Sequence, residues 1–409
     1  MTDPTGRSFL SYRRTRLREA ELLIAAQHDI GIPTWQDIEN LEEGPTEQQL
    51  REILADPRTA NGILWITPDL PDSPTIRRVE IPEFLARLRT RDAFFMVSVA
   101  AGGLSYEEAA AAASTLDIED FSAWNLRKVD GDPMSAGEAG TVAARILKRR
   151  LRAIHAHLPP ESPLPVYLTT RDPAPFIVGR ALAIDWSSRF AGREAQPQVW
   201  QDVLIPALHT IADLVKTEAP GRTLVLSGYP SIPASLALGS AFLAPKGIRL
   251  AWIQQMPDTT TQQWALSCQP EPSGFQARVD WQRADAEDLA LVVSVSEDAS
   301  RAFAASRQYL PPFRGVILIE RPGQLPHLIP TPGQAVDLAN LIVREARRVR
   351  IQSHSTGIFH LFIAAPVGLA VLMGQLLNTL GPVQTYEHIP TDMVGVYRLA
   401  AFIHVDESA

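Results

Sequence analysis

The chain has a single cysteine, Cys268, among 409 residues. No disulfide can close within it, a usage that suits a reducing compartment and predicts a cytoplasmic protein. No nucleophile motif surrounds Cys268, and it reads as a packing residue. The sequence also lacks a basic block. Its 38 Lys and Arg stand against 46 Asp and Glu, for a net charge of −8. Duplex or long single-stranded nucleic acid is therefore excluded as a bulk partner, whereas a small anion needs only one local pocket of donors. No apolar run is long enough to cross a bilayer: the longest, Leu361 to Gly374, contains Pro366. The opening MTDPTGRSFLSYRR has no apolar leader. Zinc-ligand spacing, the Gly-Lys phosphate loop and the Gly-x-Ser-x-Gly elbow are all missing, so neither a metal nor a cofactor is predicted.

What is present is ample core material, with 45% hydrophobic residues, and a length that suits two or three domains. LPPESPLP, from Leu158 to Pro165, holds four prolines in eight residues and marks an extended linker. It divides the chain into residues 1–157 and 158–409.

Over the first part, strand and helix patterns alternate about five times. Strands are predicted at Ser8 to Arg14, Ile32 to Trp35, Ile63 to Thr67 and Phe94 to Ala100, with an edge strand at Phe121 to Leu126. Helices fall between them, one opened by a Thr46/Gln49 capping box, and a long one over Ser135 to His157. Lys148, Arg149, Arg150 and Arg152 near its end suit a helix C-terminus rather than a binding patch. This alternation predicts an α/β fold with a doubly wound parallel sheet of flavodoxin-like topology, whose ligand lies at the carboxyl ends of the strands. One helix carries an anomaly. Ser73 and Pro74 form a start signal, and helical spacing then places Ile76, Glu80 and Phe84 on one stripe. Glu80 is a carboxylate on an otherwise apolar face, which is costly unless paired or used. Pairing with Arg77 or Arg78 is the plain alternative to a catalytic role.

SFLSYRR, then WQDIENLEEG some twenty residues on, then a strand and a Ser-started helix carrying Glu80, resembles a TIR domain over roughly residues 1 to 150. Bacterial TIR domains are commonly NAD+ glycohydrolases, so the resemblance implies cleavage of NAD+ as substrate with Glu80 as the essential carboxylate. The stretch before the glutamate departs from the family's Ser–aromatic–Cys pattern, and Glu83 stands as a rival. Ser11, Tyr12 and Arg13 after the first strand, and Trp35 and Asp37 in the acidic loop, are the candidate substrate contacts. Trp35 or Tyr12 would stack on a base and Asp37 would hold a ribose hydroxyl, against ordinary core and turn duties for each.

The second part shows two strand–proline turn–helix pieces 135 residues apart, SLALGSAF and LAVLMGQLL, with Gly239 opposite Gly374. Further apolar strands at Pro165 to Thr170, Ile248 to Gln255, Leu289 to Glu297 and Gly315 to Glu320 complete two Rossmann-like halves, roughly 163–275 and 276–409. HLFIAAPVGLAVLMGQLL followed by VQTYEH and VYRLAAFIHV resembles the SAVED domain. That family is a fusion of two CARF-like units that senses cyclic oligonucleotides in bacterial antiphage (CBASS) systems. The resemblance implies a cyclic di- or trinucleotide messenger as activator, the trinucleotide favoured, bound across the two halves. Candidate contacts are the turns at strand ends: Thr170 and Arg171; Tyr229, Pro230 and Ser231; Gln254 and Gln255; Ala365 and Pro366; Tyr386 and His388. Helices that follow Ser231 and Pro366 would aim N–H groups at phosphates.

Together these readings predict a messenger-activated NAD+ hydrolase of antiviral defence that self-associates into an oligomer or filament. Two rivals stand beside it: a non-enzymatic TIR adaptor, and a ring nuclease that degrades its own messenger. For the nuclease no nucleophile–base pair is at hand, since His354, His360 and His388 are scattered.

Overall fold

The computed structural model describes residues 1–35, 46–116, 118, 126–243, 247–323, 325–390 and 395–404. Asp37, the acidic loop over 36–45, the Thr46 side chain and most of the expected edge strand lie outside the described residues. The chain forms two compact units. The first comprises Met1–Tyr167, Ala174–Asp185 and Asp213–Pro220, and the second Leu168–Pro173, Trp186–Ala212 and Gly221–Ala409.

The first unit is built on five parallel strands: β1 (Arg7–Ser11), β2 (Thr34–Trp35), β3 (Thr59–Ile66), β4 (Phe95–Ala100) and β5 (Arg127–Lys128). Their order is β2-β1-β3-β4-β5, the flavodoxin-like arrangement. Every residue of β3 and β4 is buried, as a strand covered on both faces requires. The helices are α1 (Leu17–Asp29), α2 (Thr46–Ala55), α3 (Ile81–Arg89), α4 (Tyr106–Ser114) and α5 (Ala136–His157). Ser105 with Glu108, and Ser135 with Glu138, close reciprocal capping boxes at the starts of α4 and α5.

The basic residues of α5 lie more than a turn before its end, and a C-terminal dipole is not what holds them. Lys148 and Arg152 pair with Glu218, and Arg149 donates to the Met96 carbonyl. Arg150 has no exposure at all. Its guanidinium donates to the carbonyls of Gly6 at 2.5 Å, Thr5 at 2.6 Å and Ala181 at 3.0 Å. Burial pulls its pKa down to about 10, so it stays charged in the interior. A planar fork of donors lets one side chain satisfy carbonyls from two separate segments.

In the second unit β8 (Leu224–Tyr229), β9 (Leu250–Gln255) and β10 (Thr261–Trp264) are consecutive neighbours of one sheet, β8 and β9 parallel and β10 antiparallel. Two earlier strands, β6 (Leu164–Thr169) and β7 (Leu182–Asp185), are neighbours of each other. A six-stranded sheet holds β11 (Gln276–Trp281), β12 (Asp288–Ser294), β13 (Phe313–Glu320), β14 (Phe359–Ala364), β15 (Val383–Ile389) and β16 (Val396–Ile403), in the order β11-β13-β12-β14-β15-β16. Its inner pairs are parallel and its two outer pairs antiparallel.

Two helices of this unit, α6 (Ile232–Ala241) and α9 (Val367–Gly374), are apolar nearly all round and buried. Between them in sequence come α7 (Ala299–Ser306) and α8 (Pro332–Ser353). The repeated glycines are the point where α6 and α9 touch. A Cβ on Gly239 would lie 2.8 Å from the Gly374 Cα and would also strike the Val371 carbonyl; one on Gly374 would strike the Leu236 carbonyl. Only glycine permits backbones this close.

Two stability predictions follow from these contacts. Gly239→Ala lowers the melting temperature by an amount equivalent to about 1–3 kcal/mol, whereas Gly137→Ala, with open space at its Cβ, does not; thermal denaturation compares them. Arg150→Met strips the donors from three interior carbonyls and costs about 3 kcal/mol in denaturant titration, and Arg150→Lys recovers little because an ammonium lacks the fork.

Candidate ligand sites

In the first unit, the topological switch point lies between β1 and β3. Ser11 ends β1 and is buried, with no hydrogen-bond partner for its hydroxyl among the described residues. Tyr12 and Arg13 follow, half-buried. Beyond β3, Asp69 accepts from Thr67 and Thr15, at 2.6 and 2.7 Å, and from Arg13 at 3.4 Å. Trp35 does not face a ligand. It is 4% exposed and lies flat on Phe9, ring centroids 5.0 Å apart, so base stacking by Trp35 gives way to core packing.

Glu80 stands at the end of a π-helical turn, Ile76–Glu80, that opens into α3. Proline explains the wide turn. Pro82 has no N–H for the Arg78 carbonyl, and that carbonyl instead accepts from Arg51 at 3.0 Å. The Ile81 N–H reaches back to the Ile76 carbonyl, and the Ser73 hydroxyl accepts from the Ile76 N–H at 3.4 Å. Single π turns inside helices occur often at functional sites. Ile76, Glu80 and Phe84 are all buried, as their common stripe predicts. Glu83 points elsewhere and pairs with Arg51 at 3.1 Å.

In the second unit, each buried helix starts at a strand end. At the start of α6, the Thr170 hydroxyl accepts from the Ser231 N–H at 2.9 Å, and the Ser231 hydroxyl accepts from the Ala234 N–H at 3.3 Å. Pro230 is buried beside them, and Tyr229 projects with 61% exposure. Arg171 is exposed on the turn that carries Thr170. At the start of α9, Pro366 takes the N-cap position, and the Gly368 N–H donates to the Gln254 Oε1 at 3.3 Å. Gln255 is exposed at the end of β9, and Ala365 is half-buried.

Tyr386 is not at a ligand surface. Its ring stacks on Phe362 at 4.4 Å and its hydroxyl bonds His360 Nδ1 at 2.7 Å, in the core of the six-stranded sheet. A strand alternates its faces, so a contact by Tyr386 and one by its neighbour are mutually exclusive. His388 turns toward Tyr397, with ring centroids 5.4 Å apart.

The neighbour between them was not a sequence candidate. Glu387 is 9% exposed, and the Ser231 hydroxyl is its hydrogen-bonding neighbour. Its Oε2 is buried with no partner among the described residues. Burial pushes this carboxyl up to about 7, against the opposing pull of the Ser231 hydroxyl and of the Arg193 and Arg171 charges. The register holds a signal that could have found it. Gln254 is the fifth residue of β9 and Glu387 the fifth of β15. Each comes from the strand beside the parent strand of one helix and reaches the start of the other.

A carboxyl whose folded pKa is raised binds its proton more tightly in the native than in the unfolded chain. Its contribution to stability is therefore full below the unfolded value of about 4.5, falls as pH rises toward about 7, and is absent above that. Glu387→Gln removes this loss. The variant should melt at or near the wild-type temperature at pH 5 and above it at pH 8, by an amount equivalent to about 2–3 kcal/mol, as thermal denaturation across pH would show.

No curated protein matches the chain. Among solved structures it is similar to the Cap4 SAVED/CARF-domain containing receptor of Acinetobacter baumannii with the cyclic trinucleotide 3′3′3′-cAAA. That likeness has 13% identity and a TM-score of 0.49, over 97% of this chain and 100% of the other. It is similar also to the Cap4 receptor of Moraxella osloensis, at 14% identity and a TM-score of 0.42, over 96% and 100%. Likenesses this distant carry no functional weight. The family model for SAVED, described as "SMODS-associated and fused to various effectors sensor domain", matches residues 208–403. That span contains α6, α9, Glu387 and Gln254, so the chain carries a SAVED domain over residues 208–403.

Proposed function

We propose that the chain is a cyclic-oligonucleotide-activated NAD+ glycohydrolase of antiviral defence. In this reading the SAVED domain binds a cyclic di- or trinucleotide, with the trinucleotide favoured, and the first unit acts as a TIR domain. Messenger binding assembles copies of the chain, and adjacent first units complete sites that split NAD+ into nicotinamide and ADP-ribose, or its cyclised form. The observation that carries the enzymatic half is the burial of Glu80 on an apolar stripe at a π turn. The parallel sheet in the order β2-β1-β3-β4-β5 supports it, since the switch point lies at the ends of β1 and β3. The SAVED match supports the sensing half.

The chemistry suits one carboxylate. The bond between ribose C1′ and the nicotinamide nitrogen breaks with both electrons going to the ring, which leaves as neutral nicotinamide. Positive charge develops on the ribose as an oxocarbenium-like centre. A carboxylate near the ribose holds its hydroxyls and stabilises that charge. Water then adds at C1′ and releases a proton. No strong general acid is required, because the leaving group is already cationic. The net charge of −8 keeps free chains apart until a ligand brings them together.

NAD+ consumption measured with a panel of cyclic di- and trinucleotides, alongside light scattering, tests the reading. Turnover should be near background without messenger and rise with the cognate ring as scattering rises. Glu80→Gln should lower turnover at least about 100-fold with assembly unchanged, and Glu83→Gln should stay near wild type. Assembly with no NAD+ loss in the wild type would favour the non-enzymatic adaptor. Unchanged turnover in Glu80→Gln would remove Glu80 from the mechanism.

A further inference from the structure

The start of α6 is a seat for an anion with a carboxyl already in it. A helix start attracts negative charge through its dipole, and here the Ser231 and Ala234 N–H groups are already bonded to the Thr170 and Ser231 hydroxyls while Pro233 has none. Here that position is shared by Ser231, the nearby cations Arg171 and Arg193, and the carboxyl of Glu387. One oxygen of that carboxyl is buried with no partner among the described residues. The matching position at the start of α9 is taken by Gln254, a neutral amide that accepts from the Gly368 N–H. Each helix start receives a side chain from the fifth residue of a strand that flanks the other helix's parent strand, and the two side chains differ in charge.

We propose that Glu387 contacts the messenger directly at the start of α6 and is occupied there in its protonated form, so that wherever the free carboxyl is ionised each messenger bound takes up one proton from solvent. This deepens the sensor reading and rests on it. An ionised carboxylate beside a phosphate oxygen would set like charges against each other in a dry site. A proton from bulk water placed on Oε2 turns an acceptor without a partner into an O–H donor, and the phosphate oxygen accepts it. The proton moves from solvent to the carboxyl, and no other bond changes.

The surroundings single out this group. Helix α6, packed against Glu387, carries no titratable residue. Arg171 and Arg193 lower the carboxyl's proton affinity and Glu194 raises it. From β16, Arg398 is its register partner and is exposed, and Tyr397 holds its own proton firmly because burial raises its pKa. The adjacent His388 turns to the other face, toward Tyr397 and Glu297. Burial already favours the protonated carboxyl near neutrality, so the uptake lies within the working pH range.

Isothermal calorimetry on the full chain tests this, using 3′3′3′-cyclic triadenylate first and then a panel of cyclic di- and trinucleotides. Dissociation constants are taken from pH 6 to pH 8.5, and proton counts from buffers of different ionisation enthalpy. The tightest ring should weaken roughly tenfold per pH unit above about 7 and take up about one proton at pH 8. Glu387→Gln, which copies Gln254, should bind with a flat pH profile near the wild-type low-pH affinity and take up none. Gln254→Glu should steepen the wild-type slope. A flat wild-type profile with no proton uptake overturns the inference and leaves the sensor reading intact, as does an uptake that persists in Glu387→Gln. Should Glu387→Gln fail to fold, the wild-type proton count decides alone. No binding by any ring at any pH overturns the sensor reading itself.

Discussion

The second unit depends on one close contact, the crossing of α6 and α9 at Gly239 and Gly374. Two helices this apolar cannot face water, and neither can be buried against a sheet alone on every side. They bury each other. Their backbones approach until a single methyl group would collide, which fixes where along each helix the contact falls. Each helix is also the direct continuation of a strand, α6 from β8 and α9 from β14. Fixing the crossing therefore fixes the helix starts relative to the strands that bracket them. The equivalence of Gln254 and Glu387 is a consequence of this geometry. A residue at a given place on the strand next to one parent lands at the start of the other helix. The glycines thus act at a distance on the candidate site, through rigid elements rather than through contact.

The fully apolar strands and their following turns were legible from the sequence. Runs such as ILWI, FMVSVA, LALVVS and FHLFIA have one physical solution, a strand covered on both faces, and each lies in a strand, although the strand holding ILWI begins earlier, at Thr59, and the one holding LALVVS stops at Ser294. The helix after Ser73 was readable because capping chemistry acts locally, and the repeat marked Gly239 and Gly374 as equivalent positions without showing that they touch. Two exposed edge strands were not readable. β10, TQQW, and β11, QARVDW, expose most of their side chains, and their place is set by the neighbour they pair with. Aromatics misled in the other direction. Trp35 and Tyr386 lie near strand ends, where a ligand would be, but strand alternation turned each ring inward to Phe9 and Phe362. Sequence gives the position of a ring along a strand and leaves its face open when the flanking pattern is mixed.

Two buried charges, Arg150 and Glu387, show how structure separates a fully satisfied group from a half-satisfied one. Sequence inspection passed over both, the first as helix-end decoration and the second as part of a strand. Burial alone does not tell them apart, since Arg150 is wholly buried and Glu387 nearly so. What differs is satisfaction. The Arg150 fork is spent on carbonyls of Thr5, Gly6 and Ala181, so any further ligand would have to displace interior backbone bonds. Glu387 leaves an oxygen with no partner among the described residues, beside a helix start and two cations. A chain that only needed to fill that position could use glutamine, as the equivalent position of β9 does with Gln254. The carboxyl lowers stability at neutral pH, and a group that does so in a buried, half-satisfied place is most simply explained by what it does when a ligand completes its bonds. In the first unit the two carboxylates around the start of α3 differ in burial. Glu83 has its partner in Arg51, and Glu80 sits on the apolar stripe at a turn widened by proline. In both units the proposed functional residue is a carboxylate placed where packing alone would have chosen something else.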